Sequence, residues 1–266
     1  MSKKFEPNLK EILENYYDLY VYIDGEFVKG DQAKVSVWDY GLMYGDGVFE
    51  GIRAYDGGIF KLDEHLNRLY DSAKAVHMEN IPLTKEEMRR AVIETVRKNG
   101  LQNAHVRIIV TRGTGKPGLN PRRTKRPTVI ITACPYPRMY GERPAVKMIT
   151  SSVRSKSPHS IDAKIKCIDY LDHMLAKIQA LEAGVDDAII LDNNSFVAES
   201  TGANLFVVKN GKIYTPHLTA ALGGITRATV MELAKTLGYE VYEKNITISE
   251  IYTADEVFLT GTGAEI

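Results

Sequence analysis

Near the middle of the chain, Pro135, Pro137, Gly141 and Pro144 crowd into one short stretch. Proline has no N–H to give to a helix or a strand ladder, so no regular element runs through this stretch. A chain interrupted there folds as two units, and 266 residues are enough for two modest cores. Residues 136–146 are therefore read as an interdomain loop between an N-terminal domain, 1–135, and a C-terminal domain, 147–266. On both sides the apolar pattern switches between periods of two and about 3.6 without a regular βαβ alternation, which predicts two α+β domains rather than a doubly wound sheet.

In the first half, residues 8–18 read as a short amphipathic helix. Tyr20–Asp24, Gly25 and Glu26–Lys29 read as strand, turn and strand, and Ala33–Trp38 and Gly47–Tyr55 as β-rich, with Asp56-Gly57-Gly58 turning the chain. Leu62, Leu66, Leu69, Ala73 and Val76 recur at helical spacing behind Asp63 as N-cap. Thr84-Lys85-Glu86-Glu87 is a capping box for a second helix ending at Gly100. Strands are expected at His105–Arg112 and Pro127–Ala133. The second half predicts a strand at 145–151, a helix over 167–183, strands at 187–192 and 203–208, an Asn210-Gly211 hairpin turn, a helix from about Thr226 and a strand at 255–260.

Composition excludes several classes of function. Lys+Arg and Asp+Glu both number 34, so no basic field gathers nucleic acid or anionic lipid. No segment approaches the ~18 apolar residues of a membrane span, and Met1–Pro7 lacks the apolar run of a secretory signal. Cys134 and Cys167 form neither a disulfide framework nor a zinc site, which points to a reducing cytoplasm and to no structural metal.

Three glycine loops invite chemistry. Gly113-Thr114-Gly115-Lys116-Pro117-Gly118 satisfies G-x-G-x-x-G literally, yet Gly118-Leu119-Asn120-Pro121 does not open a helix, so the dinucleotide reading gives way to a surface loop. Gly223-Gly224-Ile225-Thr226 allows close backbone approach ahead of a helix that Thr226 would cap, with free amides suited to an anion. Thr260-Gly261-Thr262-Gly263 offers hydroxyls and amides at a strand end. Each loop alone is equally an ordinary turn.

Taken in order, six segments resemble the fold-type IV pyridoxal-phosphate (PLP) enzymes, most closely the branched-chain amino-acid aminotransferases. These are Tyr44-Gly45-Asp46-Gly47-Val48-Phe49-Glu50-Gly51-Ile52-Arg53, Glu64-His65-Leu66-Asn67-Arg68-Leu69, Ile165-Lys166-Cys167-Ile168-Asp169-Tyr170-Leu171, Val197–Phe206 with Glu199, Gly224-Ile225-Thr226-Arg227, and Thr260–Glu265. The resemblance runs from about residue 20 to the last residue. It implies a small α/β N-terminal domain and a larger pseudo-barrel C-terminal domain, and a soluble cytoplasmic homodimer or dimer-based assembly acting on small amino acids and 2-oxo acids.

The resemblance also assigns roles. Lys166 would carry PLP and move a proton; a lone lysine is otherwise a solvated surface group, and local sequence does not prefer it over Lys164. Glu199 would hold the proton on the pyridine nitrogen, and Tyr170 would face the cofactor phenolate. Arg68, Gly224, Ile225, Thr226 and Thr262 would bind its phosphate. Phe49, Gly51, Tyr140 and Tyr170 would line the substrate pocket, Arg107 and Tyr44 would meet the distal carboxylate of glutamate, and Gly263 and Ala264 would take the α-carboxylate. Three features depart from the pattern: His105 where Tyr-x-Arg is usual, Gly223 for proline and Gly263 for alanine. The resemblance further implies a strand and helix beyond Ile266, so the C-terminal domain is expected to lack its usual end. D-amino-acid or (R)-amine aminotransferases, an aminodeoxychorismate lyase, or a PLP-binding protein with little turnover stay open as alternatives.

Overall fold

The computed structural model describes residues 16–135, 137–141, 143 and 145–266. The chain divides into two compact units, Met1–Tyr136 and Pro137–Ile266. The helix expected over 8–18 lies almost wholly outside the described residues.

The first unit contains β1 (Tyr20–Ile23), β2 (Glu26–Lys29), α1 (Tyr40–Tyr44), β3 (Gly47–Tyr55), β4 (Gly58–Ile59), α2 (Leu62–Ala75), α3 (Lys85–Lys98), β5 (Ala104–Thr111) and β6 (Thr128–Cys134). Its strands form one antiparallel sheet in the order β2-β1-β6-β5-β3-β4. Alternation along β3 and β5 sorts the side chains: Val48, Ile52, Val106, Ile108 and Val110 enter a core with Leu66, Leu69, Met88 and Val92 of α2 and α3. The register Phe49↔Ile109, Gly51↔Arg107 and Arg53↔His105 puts those residues on the opposite face. The capping box at Thr84 is formed with Glu87 as read from sequence.

Two expectations for this unit need correction. The α2 helix begins at Leu62 with Lys61 as its N-cap, so Asp63 lies inside the first turn; an acid there favours the helix dipole without capping it. Ala33–Trp38 forms no strand despite its β-rich composition, since side-chain preference without a ladder partner does not make one. The glycine-rich stretch is a loop, as expected, with a short 3₁₀ turn at Pro121–Arg123 and an isolated bridge between Gly115 and Thr124. Gly113 is required there by sterics, because a Cβ would sit 1.7 Å from the Arg126 carbonyl oxygen at a φ of +91°.

The second unit contains β7 (Met148–Arg154), α4 (Leu171–Glu182), β8 (Asp187–Leu191), β9 (Val197–Ser200), β10 (Asn204–Lys209), β11 (Lys212–Thr215), α5 (Ile225–Thr236), β12 (Val241–Glu243), α6 (Ile248–Tyr252) and β13 (Glu256–Thr260). Two sheets, β7-β8-β9 and β12-β11-β10-β13, share a core of Ile189, Leu191, Val197, Leu205, Val207 and Ile246. Helix α4 packs Ala176 and Ala180 on Ala188 and Ile190, and α5 packs Val230 and Ala234 against Phe206 and Ile213. The helix expected from residue 167 starts at Leu171, and Cys167–Tyr170 ahead of it are a bridge residue, a bend and irregular backbone. Among the described residues no helix is long and apolar enough to cross a membrane, and no cluster of three or more His, Cys, Asp or Glu is poised for a metal ion.

Candidate active site

The segment before α4 separates the two candidate lysines. Asp162 accepts the amide N–H of Lys164 on its carboxylate (2.9 Å) and that of Ile165 on its backbone carbonyl (2.9 Å), and Cys167 N–H returns to the Ile165 carbonyl. These tight turns leave Lys164 exposed, 3.7 Å from the Asp162 carboxylate. Lys166 is half-buried and its Nζ stands 3.4 Å from the Tyr170 hydroxyl. The pairing arises through turns rather than the helical i,i+4 spacing expected. A third lysine, Lys156, is tied to the Asp169 carbonyl and lies 3.8 Å from Asp172.

Glu199 on β9 is 6% exposed. Its Oε2 accepts from the Leu222 amide and from Asn204 Nδ2, both at 3.2 Å. Its Oε1 makes no hydrogen bond among the described residues and lies 4.0 Å from His173 Nε2. Burial raises its proton affinity, pushing the pKa up to about 7, against the opposing pull of the Leu222 amide and the charge of Lys166. A buried carboxylate with one oxygen held by two donors and the other open is suited to a protonated ring nitrogen, so this part of the site fits a PLP ring.

Asn204 also donates to the Leu222 carbonyl (2.9 Å), which fixes the turn into α5. A Cβ on Gly224 would stand 1.9 Å from Asn204 Oδ1, so only glycine allows this approach. Gly224, not Thr226, occupies the N-cap, and no side chain caps the first amides of the helix. Thr226 lies one residue inside the helix from Ile225. Uncapped N–H groups at a helix start suit a phosphate, so Gly224, Ile225 and Thr226 are placed for one. Gly261 and Glu265 exchange backbone hydrogen bonds that close the Thr262–Ala264 turn, and the Gly263 carbonyl accepts from Met139 N–H at 2.8 Å. Tyr140 donates to the fully buried Asp187, and burial together with the carboxylate raises its pKa.

In the first unit, Phe49, Gly51 and Arg107 share one sheet face, and the Arg107 guanidinium lies over the Phe49 ring at 4.2 Å. His105 is beside them: its Nε2 would meet a Cβ on Gly51 at 3.2 Å. Tyr44 packs edge-on against Tyr40 and accepts the Gly118 N–H at 2.7 Å. Arg68 is on the helix side of the sheet, where Nε and Nη2 grip the fully buried Glu50 at 2.7 and 2.8 Å while His65 Nδ1 meets the same carboxylate at 2.7 Å. Its guanidinium is thereby fixed by an ion pair that the six-motif reading did not include. Sequence reasoning also missed His173 and Asn204, although Asn204 stands in the same segment as Glu199.

Comparison with known proteins supplies the wider context. The amino-transferase class IV family model matches residues 47–266. The chain is 52% identical over 247 residues to a Methanocaldococcus jannaschii protein provisionally named branched-chain-amino-acid aminotransferase, covering 92% of this chain and 85% of that one. Identity to the branched-chain-amino-acid aminotransferase of Escherichia coli K12 is 38% over 256 residues, covering 93% and 82%. The crystal structure of an Escherichia coli branched-chain amino acid aminotransferase is similar with a TM-score of 0.90 at 36% identity, covering 93% and 84%. The branched-chain amino acid aminotransferase of Thermobaculum terrenum, solved in its PLP form, is similar with a TM-score of 0.86 at 31% identity, covering 94% and 84%.

Proposed function

Because this chain belongs to the class IV aminotransferases, we propose that it exchanges amino groups between branched-chain L-amino acids and 2-oxoglutarate by a ping-pong route, with PLP carried on Lys166. The observation that carries this reading is the pairing of Lys166 with Tyr170 in the same unit as a buried glutamate whose Oε1 is open. When bound, PLP supplies the electron sink that makes the bond from Cα to hydrogen of an amino acid acidic enough to break.

The chain's own groups do the rest. Lys166 Nζ takes the proton from Cα and returns it on the other side of the exchange; the nearby Tyr170 hydroxyl orients it. Glu199 holds a proton on the ring nitrogen through Oε1, while its other oxygen stays anchored by Leu222 and Asn204. The amides of Ile225 and Thr226 and the Thr262 hydroxyl bind phosphate, with Arg68 as a further cationic donor. For substrate, the Gly263 and Ala264 amides take the α-carboxylate, and Phe49, Gly51, Tyr140 and Tyr170 provide the walls. Arg107, with help from Tyr44, meets the distal carboxylate of glutamate. In this reading the enzyme works as a cytoplasmic homodimer.

A donor panel of L-valine, L-leucine, L-isoleucine, D-alanine and (R)-1-phenylethylamine with 2-oxoglutarate tests the proposal. Turnover confined to the three L-amino acids is the expected result. Preference for D-alanine or the (R)-amine would overturn the substrate assignment.

A further inference from the structure

His173, in the first turn of α4, is buried at 8% exposure and has no part in the mechanism above. Its Nδ1 lies 2.9 Å from the Thr201 carbonyl oxygen. A carbonyl only accepts, so Nδ1 carries the hydrogen and the neutral ring keeps its lone pair on Nε2. Thr201 is itself anchored, its hydroxyl donating to the buried Asp187. With the ring held in this way, Nε2 points between two carboxylates, 3.9 Å from Asp172 Oδ2 and 4.0 Å from Glu199 Oε1. One face of the imidazole packs on the Tyr170 ring, with centroids 4.6 Å apart and planes tilted by 30°.

We propose that His173 is a positioning residue for Glu199 and Tyr170, aiming Nε2 at the open carboxylate oxygen and bracing the phenol that faces Lys166. This deepens the reading of the site given above and rests on it. The charged and titratable groups facing the imidazole are Asp172 on its own helix, Glu199 on β9, Lys156 after β7, and Lys166 and Tyr170 before α4. Burial lowers the proton affinity of His173, Asp172 opposes that shift, and both lysines reinforce it. Glu199 is pushed the other way by its own burial. A side chain serving only as filler needs the ring and its one carbonyl contact; it does not need Nε2.

The test follows the protonated-carboxyl infrared band of Glu199 in cofactor-free protein, assigned by its loss in Glu199→Gln, from about pH 5 to 9. The wild-type midpoint is expected near the value of about 7 set by burial. His173→Phe keeps the stacked ring but removes both nitrogens, and His173→Asn keeps a donor near Nδ1 but lacks Nε2. Each removes the lone pair that favours the protonated carboxyl, and is expected to lower the midpoint by about one pH unit, a ~10-fold loss in proton affinity, and to raise the PLP dissociation constant at about pH 8 by ~10-fold. His173→Gln, which places an amide near the Nε2 position, is expected to restore both. If the Phe variant does not fold, the Asn and Gln variants decide. Wild-type midpoints in Phe and Asn, with only a lower melting temperature, would reduce His173 to packing and overturn the proposal. Failure of the underlying reading is separately visible, since wild-type protein would then not attach PLP at Lys166, whereas the infrared midpoint is read without PLP.

Discussion

Glu199 and Arg107 show how far a residue's surroundings decide what it does. The ordinary carboxylate value of 4.5 rises to about 7 for Glu199 because water is excluded from it. With the folded value above the unfolded one, the folded cofactor-free protein holds this proton more tightly. Its contribution to stability is intact below pH 4.5 and is lost as the pH rises through about 7. His173, shifted downward, opposes this trend, so the comparison is between wild type and Glu199→Gln. Denaturant melts of the two should diverge across that window by of order 3 kcal/mol, the wild type losing ground as pH increases. Parallel curves would contradict the buried-carboxylate account. In turnover, Glu199→Gln should cost roughly a hundred- to thousand-fold, the usual loss when one contact that stabilises developing charge is removed. Arg107 is exposed and stacked on Phe49. If it meets a distal carboxylate, Arg107→Leu weakens 2-oxoglutarate relative to 4-methyl-2-oxopentanoate by ~10- to 100-fold in kcat/KM, the worth of a ~1.5–3 kcal/mol charged hydrogen bond. An unchanged ratio with a lower melting temperature would make it a structural cation instead.

At the scale of elements, the start of α5 depends on a contact between two residues twenty positions apart. Gly224→Ala would force Asn204 aside and release the amide that holds both Glu199 and the Leu222 carbonyl. PLP affinity in that variant should drop by about tenfold or more, or ~1.4 kcal/mol. Wild-type affinity would show that the turn is not part of the phosphate site. Local signals of this scale were legible where the chemistry is local: Thr84 and Glu87 announce the start of α3, and Asn210-Gly211 the β10–β11 turn. The same Thr-x-x-Glu signal at Thr247 and Glu250 opens α6 and went unread. Positions governed by distant partners were not legible. The grip on Arg68 depends on Glu50, and the need for glycine at 224 on Asn204. Lys166, Glu199 and Arg68 are candidates only through an ordered resemblance; their own local patterns read as surface charge.

At the scale of the molecule, the proline-rich stretch divides two units that each hold their own core, one under α2 and α3 and one shared by two sheets. A ligand that binds only the folded chain stabilises it by mass action, so PLP at ~100 times its dissociation constant should add about 2.7 kcal/mol. The account turns on which lysine carries that ligand, because Lys156, Lys164 and Lys166 lie within one short segment and in three different environments. Borohydride reduction of the PLP-loaded protein followed by peptide mapping decides among them. The reduced adduct is predicted on Lys166, with Lys166→Ala losing the trapped label while remaining folded. An adduct on Lys156 or Lys164, or full labelling of Lys166→Ala, would contradict it.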